Sequence, residues 1–283
     1  MRVGFIGLGD IGMPMSERLV NMHFDVVASD VDDTKTMRLV KRGATAAVAI
    51  ADFARCRVVG IAVPDDATVQ RVLLDDGLLE VLEPDAVVLI HSTILPGTAR
   101  ALQEKASAAG VFVVDAPVSG GAARARTGDL AIVLGGNANA LALAGPVLDA
   151  LARVSIHAGA SGAGAAVKLV NQLAMLASLA AVQEGMELAE HYGVSPDLVL
   201  QALAAGTGDS WVVRNWGFFD ELANTYDANG VSVRLRPWSK DLWDVVASAR
   251  EADVRVPLAA TMSQYLADAV EKHAADVFAQ KPE

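Results

Sequence analysis

The chain has 283 residues, of which 53% are hydrophobic and only 5% are aromatic. This balance predicts a folded core of Ala, Val and Leu and excludes intrinsic disorder, because ample apolar surface offsets the ordering entropy. The formal net charge of −11 argues against nucleic acid or an anionic membrane surface as a partner. The single Cys56 cannot form an internal disulfide, and no signal peptide precedes the first apolar run, so we expect a cytoplasmic protein.

Short apolar runs alternate with helical periods in the first part of the chain. The runs predict six strands, at Val3–Ile6, Asp25–Ser29, Val58–Ala62, Ala86–Ile90, Val111–Val114 and Ala131–Leu134. Continuous apolar strands separated by helices are typical of a parallel sheet covered on both faces. Residues 1–161 are therefore expected to form an α/β domain with a doubly wound parallel sheet.

From Ala163 onward the pattern is helical. We predict helices over 163–192, 196–204, 240–252 and 257–272, with Pro196 and Pro257 in the first turns of two of them. The first helix is long enough to leave one domain and to found an all-α second domain over residues 162–283. The longest apolar run, Leu173–Val182, is short and rich in Ala, so no membrane span is expected.

A glycine motif follows the first predicted strand. It reads Gly7-Leu8-Gly9-Asp10-Ile11-Gly12 and precedes a helical stretch, as in the turn that binds the pyrophosphate of a dinucleotide in a Rossmann fold. A glycine-rich turn without a ligand is the alternative. Asp30 ends the next strand at the spacing expected for an acid that binds the adenosine ribose, which favours NAD. Lys35 and Arg38 on the following helix leave NADP possible.

Six motifs, taken in order, resemble the β-hydroxyacid dehydrogenase family, which includes 3-hydroxyisobutyrate dehydrogenases and tartronate semialdehyde reductases. They are Gly7–Met15, with Ile11 where Met is more usual, Val63-Pro64-Asp65, His91-Ser92-Thr93, Asp115–Gly121, Gly159–Gln172 and Lys240-Asp241. The resemblance implies that Val63 and Pro64 line the adenosine side of the cofactor and that Thr93 lies beside the nicotinamide. It also implies that Lys240 reaches the cofactor and that the protein is a homodimer or homotetramer.

The resemblance assigns the chemistry to two of these six motifs, Asp115–Gly121 and Gly159–Gln172. Ser119-Gly120-Gly121 offers a hydroxyl and unhindered backbone N–H groups for a substrate carboxylate, although an ordinary Gly-Gly turn has the same sequence. Lys168 lies in an apolar helical stretch with Asn171 and Gln172 three and four residues further on. Partial desolvation would favour the neutral amine and help Lys168 to exchange a proton near neutral pH. A solvated lysine is the alternative.

The expected reaction is hydride transfer between a nicotinamide cofactor and a small 3-hydroxy acid or its semialdehyde or keto form. Lys168 would act as general acid and base, Asn171 would align the reacting groups, and Gln172 would have a supporting role. Imine reductases, which carry Asp or Tyr in place of the lysine, and a non-catalytic NAD(P)-binding relative are the competing interpretations. No metal site is expected.

The sequence allows two roles for each of two tryptophans and one arginine near the expected substrate pocket. Trp211 and Trp238 could shape that pocket or pack in the core of the helical domain. Arg214 could bind a second substrate anion, or it could be solvated. Lys240 could likewise be a surface lysine at the start of a helix.

Overall fold

The computed structural model describes residues 1–279, which form two compact units. The first unit comprises Met1–Lys168, and the second begins at Leu169. The first unit contains the whole β-sheet, whereas the described part of the second is helical. The predicted fold class, an α/β sheet followed by a helical domain, is confirmed. The domain boundary after residue 161 stays a prediction.

Nine strands form one sheet in the first unit. They are β1 (Arg2–Ile6), β2 (Asp25–Ser29), β3 (Thr45–Ala46), β4 (Val58–Ile61), β5 (Val87–Ile90), β6 (Phe112–Asp115), β7 (Val118–Ser119), β8 (Leu130–Gly135) and β9 (Ala152–Gly159). Their order is β3-β2-β1-β4-β5-β6-β8-β7, and β9 pairs with β8. The six strands from β3 to β6 are parallel, and the strand order reverses between β1 and β4. In such sheets ligands bind beyond the carboxyl ends of the strands at this reversal.

The sequence predicted a sheet that is parallel throughout, but one strand, β8, runs antiparallel to two of its neighbours. These neighbours are β6 and β7. The segment between β6 and β8 contains only β7 and a seven-residue helix, so the chain turns back instead of crossing the sheet. β3, β7 and β9 were not predicted, because β3 and β7 have two residues each and β9 is largely exposed.

Helices cover both faces of the sheet. They are α1 (Gly12–Asn21), α2 (Asp33–Val40), α3 (Asp66–Gln70), α4 (Leu78–Val81), α5 (Pro96–Ala108), α6 (Gly121–Thr127) and α7 (Ala138–Leu151), with a 3-10 helix at Ile50–Phe53 and a π-helical turn at Arg71–Asp75. Successive strand residues belong to opposite cores: Val58 packs in one hydrophobic cluster and Val59 in the other. This double burial explains why the central strands read as unbroken apolar runs.

The second unit is a helical bundle in its described part. Helix α8 (Ala163–His191) begins in the first unit and continues into the second, and it is followed by α9 (Pro196–Ala205), α10 (Trp211–Arg214), α11 (Phe218–Ala228), a 3-10 helix at Val233–Leu235, α12 (Pro237–Glu251), α13 (Pro257–Met262) and α14 (Leu266–Ala279). Pro196 and Pro257 begin their helices, as predicted.

The helix predicted over 257–272 is two helices. The backbone tightens after Met262, and the Ser263 hydroxyl donates to the carbonyl oxygen of Ala260 at 3.0 Å. This local bond competes with the continuing α-helical ladder, so α14 begins anew at Leu266. Helices α10 and α11 were also absent from the sequence-based prediction.

Helix α8 corrects the sequence-based argument on membrane spans. Its most apolar 18-residue window has a mean hydropathy of 1.6, so the whole helix is long and apolar enough to cross a membrane by length and composition alone. Of that window, 39% is buried inside the structure. The core helix of a protein that spans no membrane passes the same test, so this feature is weak evidence, and the absence of a membrane partner stays a prediction.

Candidate active site

The glycines of the β1–α1 turn occupy positions that leave no room for a side chain, with one exception. Gly7 has φ +90°, and a Cβ there would overlap the carbonyl oxygen of Ala62. A Cβ on Gly12 would overlap the carbonyl oxygen of Gly7, whereas a Cβ on Gly9 would meet nothing within 4 Å. The turn is therefore tight, packed closely on the sheet, and open beside Gly9. These properties fit a pyrophosphate group lying against the backbone.

The amino end of α1 faces the same turn. The helix begins with Gly12 after the N-cap residue Ile11, and the N–H of Met13 donates to the carbonyl oxygen of Gly9 at 3.0 Å. The first turn of a helix leaves N–H groups without intrahelical acceptors, and the helix dipole makes this end positive. The Asp10 side chain is exposed and that of Leu8 is buried, so an anion would approach through the backbone.

Asp30 lies beyond the carboxyl end of β2 and is bonded to the glycine turn. One carboxylate oxygen accepts from the N–H of Leu8 at 2.6 Å, and the other accepts from the N–H of Asp32 at 2.9 Å. The side chain is 8% exposed, and the ammonium of Lys35 lies 4.0 Å away. Asp30 therefore fixes the turn, which the sequence had not indicated. Since each carboxylate oxygen has two lone pairs, the group retains acceptors for ribose hydroxyls.

The loops after β4 and β5 are tied together. The N–H of Val63 donates to the Ser92 hydroxyl at 2.9 Å. Val63 and Thr93 are partly exposed and Pro64 is exposed, so a ligand could touch them. The structure thus brings the two segments to neighbouring strand ends. Their contacts with a cofactor stay a prediction.

His91, the residue after β5, is a buried polar group that sequence reasoning had not selected. It is 4% exposed, and its Nδ1 lies 2.9 Å from the carbonyl oxygen of Ala116. Because a carbonyl only accepts, Nδ1 carries the proton, and Nε2 is a buried acceptor with no partner in the described residues. Burial lowers the pKa of His91 to about 4. The signal in the sequence was a histidine directly after a strand that is apolar throughout.

Asp115 fixes the start of α8. Its two carboxylate oxygens accept from the N–H groups of Gly162 and Ala165, each at 2.8 Å. Burial raises the pKa of Asp115, although these hydrogen bonds oppose the shift. A Cβ on Gly164 would lie 2.7 Å from the carbonyl oxygen of Asp115, so only glycine lets the helix approach this closely. The acid therefore anchors α8 to the end of β6.

Lys168 lies one turn beyond this anchor. Its Nζ donates to the carbonyl oxygen of Val118 at 3.0 Å, and the side chain is partly buried. The alternative of a freely solvated lysine is wrong. The ammonium contacts the Asp115–Gly121 segment, which the resemblance assigns to substrate.

Ser119, Gly120 and Gly121 follow Val118 in this segment. Ser119 and Gly120 are exposed, and both glycines have positive φ, +136° and +72°. Their backbone conformation is one that L side chains rarely adopt. The segment thus presents a hydroxyl and peptide groups close in sequence to the carbonyl that holds Lys168.

In the second unit, Asn171 belongs to a chain of hydrogen bonds. Its amide Nδ2 donates to Oε1 of Gln172 at 3.1 Å, and Nε2 of Gln172 donates to Oδ2 of Asp241 at 2.6 Å. Gln172 is 5% exposed and Asp241 is 4% exposed, whereas Asn171 is exposed. Gln172 thus connects Asn171 to Asp241 by hydrogen bonds, which is compatible with the supporting role predicted for it.

Lys240 is not a surface lysine. Its side chain is 10% exposed, and its Nζ lies 2.6 Å from Asp244 and 3.5 Å from Asp241. The alternative of a solvated lysine at the start of α12 is therefore wrong. Contact with a cofactor stays a prediction.

The aromatic residues divide between two environments. Trp238 is fully buried in the core of the second unit, and its Nε1 donates to Glu271 at 2.8 Å. The interpretation of Trp238 as a pocket residue is wrong. Trp211 is 46% exposed and packs edge-on against Phe218 at 5.1 Å between ring centroids. Arg214 pairs with Asp209 at an exposed position, as expected for a solvated arginine.

Comparison with known proteins identifies the family. The model for the NAD-binding domain of 6-phosphogluconate dehydrogenase matches residues 2–159, and the one for the NAD-binding domain of NADP-dependent 3-hydroxyisobutyrate dehydrogenase matches residues 162–279. The 3-hydroxyisobutyrate dehydrogenase of Pseudomonas aeruginosa is 33% identical over 91% of this chain and 88% of its own. The L-threonate dehydrogenase of Cupriavidus necator is 32% identical over 93% of this chain and 88% of its own.

The fold of this chain is also similar to that of solved structures from the same family. The 3-hydroxyisobutyrate dehydrogenase from Salmonella typhimurium superimposes with a TM-score of 0.81 at 28% identity, covering 96% of this chain and 99% of that one. The fold and the glycine turn define a dinucleotide-dependent oxidoreductase. More specifically, the chain belongs to the β-hydroxyacid dehydrogenase family, whose members act on CH–OH groups with NAD(P).

Imine reductases share the fold alone. The imine reductase from a Pseudomonas species superimposes with a TM-score of 0.64 at 19% identity, over 93% of this chain and 91% of that one. For metals, no three His, Cys, Asp or Glu side chains among residues 1–279 form a group that could hold an ion.

Proposed function

We propose that the protein interconverts a small 3-hydroxy acid and its semialdehyde or keto form, with Lys168 as the proton donor and acceptor. One observation carries this proposal: the Lys168 ammonium is held 3.0 Å from the carbonyl oxygen of Val118. This hydrogen bond places the lysine, the one candidate proton donor on this part of α8, at the segment that would bind substrate. The same segment continues into Ser119–Gly121, where a carboxylate would bind.

The residues at the β1–α1 turn fit a nicotinamide dinucleotide. Gly9 leaves space for the pyrophosphate, the amino end of α1 stabilises its charge, and Asp30 accepts from the ribose hydroxyls. The Asp30 carboxylate would repel a 2′-phosphate, so we infer a preference for NAD over NADP. When bound, the cofactor supplies hydride transfer at its nicotinamide ring.

The residues of this protein bind the substrate, orient it and move the proton. In reduction Lys168 gives its proton to the oxygen that becomes the hydroxyl, and in oxidation it takes that proton back. Asn171, one helical turn further along α8, aligns the hydroxyl or the ammonium. The Ser119 hydroxyl and the N–H groups of Gly120 and Gly121 bind the substrate carboxylate, which sets the position of the reacting carbon.

Assembly and location complete the proposal. We infer a homodimer or homotetramer, because the described part of the second unit exposes large apolar side chains such as Leu188, Tyr192 and Leu198. Burial raises the pKa of the Cys56 thiol to about 11, so this free cysteine stays unreactive, which fits the cytoplasm. Light scattering coupled to gel filtration would measure the assembly.

Turnover of a matched substrate panel tests the function. The panel contains 3-hydroxy acids with NAD⁺, semialdehydes with NADH, the methyl esters of the same acids, and cyclic imines with NADH. We expect turnover of the free acids and semialdehydes and a large loss with the esters, which lack the carboxylate charge. Turnover confined to cyclic imines would replace the proposal by imine reduction. Cofactor binding without any turnover would support a non-catalytic relative.

A further inference from the structure

The hydrogen-bond chain that ends at Asn171 has a fixed direction. Asp241 is a carboxylate beside the Lys240 ammonium, at 3.5 Å, so it only accepts. Gln172 must therefore direct its NH₂ group toward Asp241, at 2.6 Å. The carbonyl oxygen of Gln172 then faces Asn171 and can only accept from it, at 3.1 Å. The charge on α12 thus decides the orientation of two amides on α8.

Reversing either amide is costly. Gln172 and Asp241 are both buried, so a flipped Gln172 would place its oxygen against the carboxylate without water to screen the repulsion. A flipped Asn171 would place its oxygen against the Gln172 oxygen. Gln172 therefore has one stable orientation, and Asn171 can bond to its oxygen only through its own NH₂ group.

These bonds also define which way the Asn171 amide faces. One N–H of its amide is bound to Gln172, so the carbonyl oxygen Oδ1 points away from that bond. Asn171 is exposed and lies one turn from Lys168 on the same helix. An acceptor presented in this way suits a hydroxyl group, which is the proton donor of a hydroxy acid substrate.

We propose that Asp241 and Gln172 are positioning residues that fix the Asn171 amide, so that its carbonyl oxygen is presented to the hydroxyl of a substrate. The inference rests on the proposed function for its catalytic part. Its structural part, the direction of the relay from Asp241 through Gln172 to Asn171, is independent of any activity.

A double-mutant cycle tests the direction of the relay. Asn171→Asp places a carboxylate against the Gln172 oxygen and should lower the denaturation midpoint. Adding Asp241→Asn lets the relay reverse, because the new amide donates to Gln172, which then donates to the acid at position 171. We expect the double variant to recover at least half of the decrease in the denaturation midpoint that Asn171→Asp causes. Additive losses would overturn the proposal.

The matched control is Asp244→Asn, which removes a carboxylate next to Lys240 on the same helix. Combined with Asn171→Asp, it should give additive losses. Recovery with this control as large as that with Asp241→Asn would show a general charge effect and would overturn the relay.

A kinetic measurement tests the positioning role. Gln172→Met keeps the length of the side chain but removes the relay, so kcat should fall roughly tenfold to a hundredfold while the Kd for NAD is unchanged. An unchanged kcat would overturn the role. Lys168→Ala separates the two proposals: if it keeps full turnover while the cycle shows recovery, the proposed function fails and the relay direction stands.

Discussion

Lys168 and Val118 are 50 positions apart in the chain, and the ammonium of the first donates to the carbonyl oxygen of the second at 3.0 Å. Two other bonds hold the same segment. The Asp115 carboxylate binds the amino end of α8, and His91 binds the carbonyl oxygen of Ala116. The first two contacts hold the segment proposed to bind substrate against α8, which carries the lysine proposed to move the proton, and the third fixes the segment to the end of β5.

Removing the anchor at the start of α8 should destabilise the protein. In Asp115→Asn the amide has only one oxygen for two buried N–H donors, so we expect a loss of about 1–3 kcal/mol in the free energy of unfolding. Urea denaturation measures this loss. Asp129→Asn is the control, because its partners Arg124 and Arg153 are exposed and a surface ion pair contributes little. Equal losses in the two variants would contradict the anchor.

The free energy of unfolding should depend on pH through the protonation of His91. Its pKa is about 4 in the folded protein and 6.5 when unfolded, so the unfolded chain binds more protons between these values. Stability attributable to His91 is therefore full above pH 6.5 and falls as the pH drops toward 4, by about 3 kcal/mol. Denaturation at a series of pH values measures the slope, which His91→Gln should flatten.

His273 provides a control of opposite sign. A hydrogen bond from its Nδ1 to Asp220, at 2.7 Å, raises its pKa above 6.5 in the folded protein. Its stabilising contribution is therefore full below pH 6.5 and is lost as the pH rises through the folded pKa. His273→Gln should remove stability at low pH only. If the two histidine variants changed the slope in the same direction, the assignment of their protonation states would be wrong.

Two glycines of the β1–α1 turn should respond differently to the same change. Gly7→Ala should lower the melting temperature, because of its positive φ and the overlap with Ala62. Gly9→Ala should fold normally but raise the Kd for NAD by about tenfold, because its methyl group fills space meant for the pyrophosphate. Calorimetry measures both quantities. Normal NAD affinity in Gly9→Ala would place the cofactor elsewhere.

Cofactor preference should depend on the charge of Asp30. Asp30→Asn keeps an acceptor for the N–H of Leu8 and removes the repulsion of a 2′-phosphate. We expect the ratio of kcat/KM for NAD to that for NADP to fall by roughly tenfold. Steady-state kinetics with both cofactors measures the ratio. A ratio independent of this substitution would assign the preference to another residue.

The central strands could be predicted from the sequence because local pattern alone specifies them. Asp25–Ser29 was predicted to the residue, since both faces of the sheet require apolar side chains. The exposed edge strand Ala152–Gly159 carries no such pattern and was missed. The candidate residues Lys168 and Asn171 were found through their motif.

The partners of these residues could not be predicted. Gln172 and Asp241 are 69 positions apart, and only tertiary packing brings their side chains together. His91 and Trp238 show the same limit. A polar residue after an apolar strand and an aromatic residue near a motif each have two plausible environments, and the choice between them depends on neighbours that are distant in sequence.

Steady-state turnover of Lys168→Ala, with the Kd for NAD measured on the same sample, tests the central claim most directly. We predict that kcat falls roughly a hundredfold to ten-thousandfold, with unchanged NAD affinity, because the variant lacks only the proton donor. Lys105→Ala, at an exposed lysine in the same unit, should keep full turnover. Full turnover in Lys168→Ala with normal NAD affinity would contradict the assignment of proton transfer to this lysine.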